Sequence, residues 1–286
     1  MMRKFWESIY CPNYIKGYNP FIIKDMNKSI ERLVTAINNR EKIIVYGINT
    51  VDGICAIASL SLVLRYLNAD VEYLIHDGGD ECKKVDSFDI KTKIDFLGGE
   101  LLITLGVDLA SQEEVELCDR LGIDLIVIEN KSTDTKKDYV YINPSQKCCQ
   151  YRYKNLSISA LTFKLMQAIA IYYNMKSINK YLDLILIGTK WAGSKGSGEN
   201  AIFLKEGKKF LDNTNNIGLR AIINFNNIEE LDDENIEKII NLITPTTSAV
   251  GKLNNARIVL ELITTDDEDR AEQIAKYLYN TRIRQI

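Results

Sequence analysis

Five short apolar segments alternate with helical stretches in the first half of the chain, and this alternation limits the possible folds most strongly. The apolar segments are nearly continuous, so both faces of each strand are expected to be buried. Continuous apolar strands separated by helices are typical of a parallel sheet covered by helices on both faces. The sequence therefore predicts an α/β fold with a five-stranded, mainly parallel sheet, from NREKIIVYG (39–47), DVEYLI (70–75), ELLITLG (100–106), IDLIVIEN (123–130) and DYVYIN (138–143).

The segments between and after these strands carry helix signals. Val51 to Leu67 has apolar residues at helical spacing, and SFDIKTKIDFLGG (87–99) is interpreted as a helix closed by its two final glycines. Ser111 and Glu114 form a capping box at the start of the next helix. After about Asn155 the strand pattern stops, so we expect a helical extension to follow the α/β unit.

Composition and charge exclude some function classes. The net charge of −3 over 286 residues gives no global attraction for nucleic acid, although a local basic groove stays possible. No apolar run approaches the roughly 18 residues of a membrane span, so we expect no membrane partner. The 6 cysteines form no C-x-x-C pair, which indicates free thiols in a reducing, cytoplasmic setting. The single histidine, His76, excludes mechanisms that need two.

The stretch IVYGINTVDGICA (44–56) is the first candidate site. It has the outline of a strand, a tight glycine turn and a helix, and sites in parallel sheets form where the carboxyl ends of the strands meet. Turns of this kind present carboxylates to a metal or amides to a phosphate. Here only one acid, Asp52, is present, so the turn has the frame of a binding loop with few ligands.

Ordered matches through most of the chain resemble the DHH phosphoesterases, and within them the RecJ-type single-strand exonucleases. The segment VYGINTVDGICA (45–56) is similar to the first family motif, G-D-x-D-x-D-G. LLITLGVDLAS (101–111) resembles the second motif, and IDLIVIENK (123–131) resembles the strand that ends in D-H-H. LDLILIGTKWAGSKGSGEN (182–200) is similar to the fourth motif, G-T-x-A-D followed by G-E-N. The resemblance implies a phosphoesterase fold with two divalent metals that activate water and stabilise charge on the scissile phosphate.

The metal ligands of the family do not carry over to this sequence. Of the three acid positions in the first motif, only Asp52 matches. The remaining positions that match ligands of the family's motifs hold side chains that bind metals weakly or not at all. Together with Asp52 these positions number eight, and we call them the vestigial pocket: Ile48, Thr50, Asp52, Gly106, Glu129, Asn130, Lys131 and Ala192. The resemblance thus implies no catalytic residue here.

Few alternatives remain for a metal. Asp52 and Glu129 are candidates for a single weakly bound ion, but two carboxylates do not organise a two-metal site. Asp108 follows the lost acid of the second motif by two residues, which moves its carboxylate several ångströms. Lys131 is expected to pair with Asp52 or Glu129 and to replace the metal charge. We expect no cofactor, with manganese or magnesium needed only if the site is active.

The function predicted from this resemblance is non-catalytic: a RecJ-like pseudoenzyme that serves as a scaffold or binding module in DNA replication, recombination or repair. The alternative is a metal-dependent phosphoesterase or single-strand exonuclease with a reduced or relocated metal site. We expect a DHH domain with its lead-in at 1–215 and a helical extension or linker helix at 216–286, without the family's second domain.

A protein partner from the replication or repair machinery is expected, and single-stranded nucleic acid is a further possible ligand. The segment SQKCCQYRYK (145–154) mixes basic and aromatic residues, which suits single strands. The loop KWAGSKGSG (190–198) is interpreted either as a phosphate-binding loop or as a solvent loop. The candidate nucleic-acid contacts are Arg152, Lys154, Lys190 and Lys195.

Overall fold

The computed structural model describes residues 17–76, 84–132, 137–175, 178–193, 196–246 and 255–283. Strands β1 to β7 are Ile43–Gly47, Val71–Ile75, Lys84–Val85, Leu101–Leu105, Asp108–Leu109, Asp124–Ile128 and Val140–Ile142. Helices α1 to α10 are Met26–Asn39, Val51–Tyr66, Gln112–Leu121, Ile158–Tyr172, Leu182–Trp191, Gly198–Leu211, Ile217–Phe225, Asp233–Ile243, Ala256–Thr264 and Glu268–Ile283.

Five strands form one sheet in the order β2–β1–β4–β6–β7, and every neighbouring pair is parallel. Successive side chains alternate between two cores: Ile43 and Val45 enter one, and Ile44 and Tyr46 enter the other. The predicted α/β fold with a five-stranded parallel sheet is therefore confirmed. Because β1 lies beside β4, the loops that carry Ile48 and Gly106 leave the sheet side by side.

The segment expected to form one helix over 87–99 is irregular, and that prediction is wrong in detail. One α-helical turn at Ser87–Asp89 passes into a π-helical turn at Ile90–Ile94. Asp89 accepts a hydrogen bond from the Tyr46 hydroxyl at 2.5 Å, which anchors the first turn to the sheet. The wider second turn allows both Ile90 and Ile94 to be buried in the second core.

Within the described residues no strand follows Ile142, so the predicted change to helices is confirmed. Asn216 caps α7 by accepting the N–H of Leu219 at 3.0 Å, and its amide donates to the carbonyl of Ile263 in α9 at 2.8 Å. Helix α9 in turn packs against α2. The domain division at residue 215 stays a prediction. None of the described helices is both long enough and apolar enough to cross a bilayer.

A buried carboxylate at the start of α5 makes stability depend on pH. Asp183 is 1% exposed, and it accepts hydrogen bonds from the Thr214 hydroxyl at 2.5 Å and from the N–H of Leu184 at 2.7 Å. Burial raises the pKa of Asp183 from 3.8 to about 6. The folded state binds the Asp183 proton more tightly than the unfolded state does. The contribution of this proton to the free energy of unfolding is therefore full below the pKa of the unfolded state, and it is lost as pH rises through the pKa of the folded state.

We expect wild type to lose roughly 3 kcal/mol of unfolding free energy relative to Asp183→Asn between about pH 4 and pH 7. Asparagine keeps the shape of the side chain but does not titrate, so the difference between the two proteins isolates this group. Urea unfolding of both proteins across this pH range measures the effect. Parallel pH profiles would contradict it.

Candidate functional site: the vestigial pocket

Asp52 lies in the first turn of α2, directly after the turn that follows β1. Thr50 caps this helix, because its hydroxyl accepts the N–H of Gly53 at 3.1 Å. The Asp52 carboxylate is 5% exposed and faces the start of α4. One oxygen accepts the N–H of Ile158 at 2.8 Å, and the other accepts the N–H and the hydroxyl of Ser159 at 2.9 and 2.5 Å.

These contacts give Asp52 a structural task. Its two oxygens receive three donors from the first turn of α4, so it holds the N-termini of two helices together. Burial raises the pKa of Asp52, and the hydrogen bonds from Ser159 and Ile158 oppose that rise.

Ile48 and Gly106 meet through apolar contacts. Gly106 has φ of +74°, in the left-handed region. A Cβ atom at Gly106 would lie 3.1 Å from Cγ2 of Ile48 and 3.2 Å from Cγ1 of Ile158. Ile48 itself is 9% exposed. The space next to two of the former acid positions is thus filled by isoleucine side chains.

Helix α5 covers Asp52 from another side. A Cβ atom at Gly188 would lie 2.9 Å from Oδ1 of Asp52 and 2.5 Å from Oγ of Ser159, so the close approach of α5 depends on glycine. Ala192 is the C-cap residue of this helix and is exposed to solvent. Helix α5 therefore brings its backbone close to Asp52, and Ala192 at its end offers no side-chain ligand.

The three residues after β6 make separate contacts. Glu129 is 5% exposed; it accepts the Tyr141 hydroxyl at 3.0 Å, and its other oxygen lies 3.0 Å from the Lys131 ammonium. Asn130 donates to the carbonyl of Leu156 at 2.7 Å. Of the two partners predicted for Lys131, Glu129 is confirmed. The predicted alternative, Asp52, is wrong for this ion pair, because α4 engages both of its oxygens.

Asp108 forms a second acid–lysine pair beside the first. Its Oδ2 lies 2.6 Å from the Lys137 ammonium, and its Oδ1 accepts the Tyr139 hydroxyl at 2.5 Å. The Lys137 ammonium lies 5.5 Å from the ring centroid of Tyr139 and 5.7 Å from that of Tyr141. Burial and the Asp108 charge raise the pKa of Tyr139, which keeps its hydroxyl a donor. Asp108 and Glu129, which follow β4 and β6, are thus joined to two lysines and two tyrosines in one network.

Three of the four candidate nucleic-acid contacts lie in the described residues, and their surroundings differ. Lys190 lies inside α5, where it pairs with Asp233 at 2.7 Å and Glu237 at 3.6 Å, so the interpretation of its segment as a loop is wrong at this position. Lys154 donates to the carbonyls of two neighbouring turns, Arg152 is exposed, and Lys195 lies outside the described residues. A role of these residues in nucleic-acid binding stays a prediction.

Sequence reasoning missed the residues that engage the retained acids. The start of α4, Ser157 to Ser159, supplies the donors to Asp52, and Ser157 Oγ lies 2.8 Å from the hydroxyl of Thr189. A serine before an apolar helical run is an N-cap signal, and it was available in LSISA (156–160). The pairing of Lys137 with Asp108 had no comparable signal, because the two residues are 29 positions apart.

The residues in the vestigial pocket do not fit a two-metal centre. Divalent ions such as manganese need several free oxygen or imidazole ligands, whereas Asp52 and Glu129 already bond to donors from the chain. The carboxamide oxygen of Asn49 has no hydrogen-bond partner in the described part of the chain, but one amide oxygen does not hold an ion. Over those same residues, no three His, Cys, Asp or Glu side chains form a metal-binding group.

Comparison with known proteins identifies relatives of this chain. The chain is 27% identical over 260 residues to the single-stranded-DNA-specific exonuclease RecJ of Bacillus subtilis, covering 90% of this chain and 32% of that protein. It thus spans about a third of that relative's length.

Solved structures show the same fold. A crystal structure of exonuclease RecJ bound to manganese superposes with a TM-score of 0.81 at 22% identity, covering 92% of this chain and 66% of that chain. RecJ from Thermus thermophilus in complex with Mn²⁺ gives a TM-score of 0.77 at 20% identity, covering 92% of this chain and 38% of that chain. The model of the DHH family, N-terminal domain, matches residues 42–189, which is more than half of the chain, and the protein therefore belongs to the DHH family.

Proposed function

We propose that this protein is a non-catalytic member of the DHH family, a RecJ-like pseudoenzyme that acts as a scaffold or binding module in DNA replication, recombination or repair. One observation carries the proposal: the side chains of Ile48 and Ile158 fill the space at Gly106, where a side-chain ligand would have to stand. A side chain at this point would need both isoleucines to shift by a few tenths of an ångström, and their apolar atoms offer no ligand to a metal.

The state of the remaining acids supports the same proposal. Asp52, the one acid of the first motif, is held by three donors from α4. Glu129 is shared between a tyrosine and a lysine. A general base or metal ligand needs an oxygen that can reach water or substrate. Both carboxylates instead act as internal acceptors that hold loops and helices in place.

The names of the relatives suggest the biological setting. The Bacillus subtilis relative is a single-stranded-DNA-specific exonuclease, so we place this protein in pathways that process single-stranded DNA. We propose a protein partner from the replication or repair machinery, with Arg152 and Lys190 among the candidate contacts to a single strand. Purification of the full chain from native cells, followed by identification of the bound proteins, tests the nature of the partner.

We expect the purified protein to show no hydrolysis of 5′-labelled single-stranded DNA in the presence of Mn²⁺ or Mg²⁺. The physical reason is that the water-activating ligands are absent from the vestigial pocket, whose surviving acids are engaged by the chain. Product release measured on denaturing gels tests activity, and calorimetric titration with MnCl₂ tests binding.

The controls separate a true site from contamination. Turnover that depends on the metal and is lost in both Asp52→Ala and Glu129→Gln would overturn the proposal and favour a reduced metal site. Turnover that persists in both variants would point to a contaminating nuclease. A folded RecJ exonuclease assayed in parallel shows that the conditions support catalysis.

A further inference from the structure

We propose that Lys131 and Lys137 are built-in counter-cations: they neutralise Glu129 of the vestigial pocket and the nearby Asp108, so that this pair of acids is stable without metal. This inference rests on the proposed non-catalytic function, and it goes further by assigning the pocket's electrostatic balance to two named side chains.

The Asp108–Lys137 pair is the better shielded of the two. Its side chains are 16% and 22% exposed, and the ammonium lies 2.6 Å from the carboxylate. Asp108 also accepts the Tyr139 hydroxyl and the N–H of Leu109, so all of its contacts come from the chain. At partial burial an unpaired carboxylate is costly, and the nearby lysine reduces that cost.

The Glu129–Lys131 pair differs from the first pair in the exposure of its two side chains. Glu129 is almost fully buried, whereas Lys131 reaches it from solvent with 58% of its side chain exposed. The Lys131 backbone carbonyl accepts a hydrogen bond from Asn143 at 2.7 Å, and Asn143 also donates to the Tyr141 hydroxyl at 2.9 Å. The backbone of Lys131 is therefore held by a hydrogen bond, while its ammonium pairs with Glu129 from the solvent side.

The two pairs are linked, so their charges act on one another. The rings of Tyr139 and Tyr141 meet edge to face with centroids 6.2 Å apart, and their hydroxyls donate to Asp108 and Glu129 respectively. Lys137 lies within 6 Å of both ring centroids. Each of the two carboxylates thus has its own lysine within 3.0 Å. Neither acid in this network is left without a cation.

The experiment measures thermal unfolding of three full-length proteins in EDTA and in excess MnCl₂: wild type, Lys131→Ala/Lys137→Ala, and the same double variant carrying Asp108→Asn and Glu129→Gln. In EDTA we expect the double variant to unfold roughly 2–8 °C below wild type, because two carboxylates lose their partners. MnCl₂ should raise the Tm of the double variant by at least about 2 °C, because the bare carboxylates now bind the ion. Wild type and the four-site variant should respond by less than about 1 °C.

Each other outcome overturns the inference. A Tm of the double variant equal to that of wild type in EDTA would show that the lysines are dispensable. A double variant that does not respond to MnCl₂ would show that the lysines do not stand where an ion can bind. A wild type stabilised by MnCl₂ would show that the lysines do not exclude metal. If the double variant does not fold, the thermal unfolding of the single variant Lys131→Ala is measured in EDTA and in MnCl₂, and the same outcomes decide.

The nuclease assay keeps the two proposals separate. Metal-dependent cleavage by wild type defeats the proposed function, whereas an absent MnCl₂ response in the lysine variants defeats this inference alone.

Discussion

Replacing Glu199 with glutamine is expected to lower the free energy of unfolding by about 3–5 kcal/mol, the largest single effect that we predict for this chain. Glu199 and Lys164 form an ion pair at 2.6 Å with only 3% and 1% of their side chains exposed. Glutamine keeps the size and the acceptor oxygen but leaves the Lys164 ammonium uncompensated in the core. Such a charge is costly because the surrounding groups, including the rings of Tyr151 and Phe203, are weak substitutes for water.

This pair also fixes the beginning of the described chain. The carboxylate of Glu199 accepts the N–H of Tyr18 at 2.8 Å and the hydroxyl of Tyr151, while Lys164 donates to the Tyr18 carbonyl at 3.0 Å. Urea unfolding followed by circular dichroism measures the loss. Two controls sharpen it: Glu206→Gln at the exposed Lys209–Glu206 pair should have little effect, and Lys164→Met combined with Glu199→Gln, which keeps an acceptor oxygen at position 199, should recover much of the loss. A Glu199→Gln protein as stable as wild type would show that Lys164 is not held as a buried cation.

The Asp52→Asn substitution is expected to destabilise the protein by about 2–4 kcal/mol, although asparagine is nearly isosteric with aspartate. Three donors converge on the carboxylate, from Ile158 and Ser159. An amide offers one acceptor oxygen, so its NH₂ group would face an N–H at the start of α4. Hydrogen bonds to charged groups are also stronger than those to neutral groups, and the start of a helix favours a negative charge.

A graded comparison tests whether Asp52 has this structural role. Ser159→Ala removes one of the three donors and should cost about 1 kcal/mol, less than Asp52→Asn. Equilibrium unfolding of both variants and of wild type gives the order. An Asp52→Asn protein with wild-type stability would indicate that the carboxylate is free for other chemistry, which would weaken the case for a pseudoenzyme.

The fold was largely predictable because its strongest signal is local. Strands β1 and β4 are apolar runs with every residue buried, and burial on both faces follows directly from that composition, as Ile43 and Ile44 show by entering opposite cores. The segment over 87–99 was not predictable in detail. Its apolar residues Ile90 and Ile94 suit an ordinary helix, so their spacing gives no signal of the π-helical turn.

The pocket, like the fold, was predictable from the sequence only in part. The absence of a polar side chain at Ile48, Gly106 and Ala192 is visible from residue types alone. What surrounds the acids of the pocket depends on tertiary contacts: Asp52 bonds to Ser159, which is 107 positions away in the chain. Such contacts leave no periodic pattern in the sequence, so their partners were found only in three dimensions.

The close packing at Gly106 has a consequence for the redesign of this pocket. A side chain introduced at that position would need Ile48 and Ile158 to shift by a few tenths of an ångström, and it would have to adopt a left-handed backbone conformation that favours glycine. An acid at position 106 is therefore expected to cost stability unless the two isoleucines are changed with it.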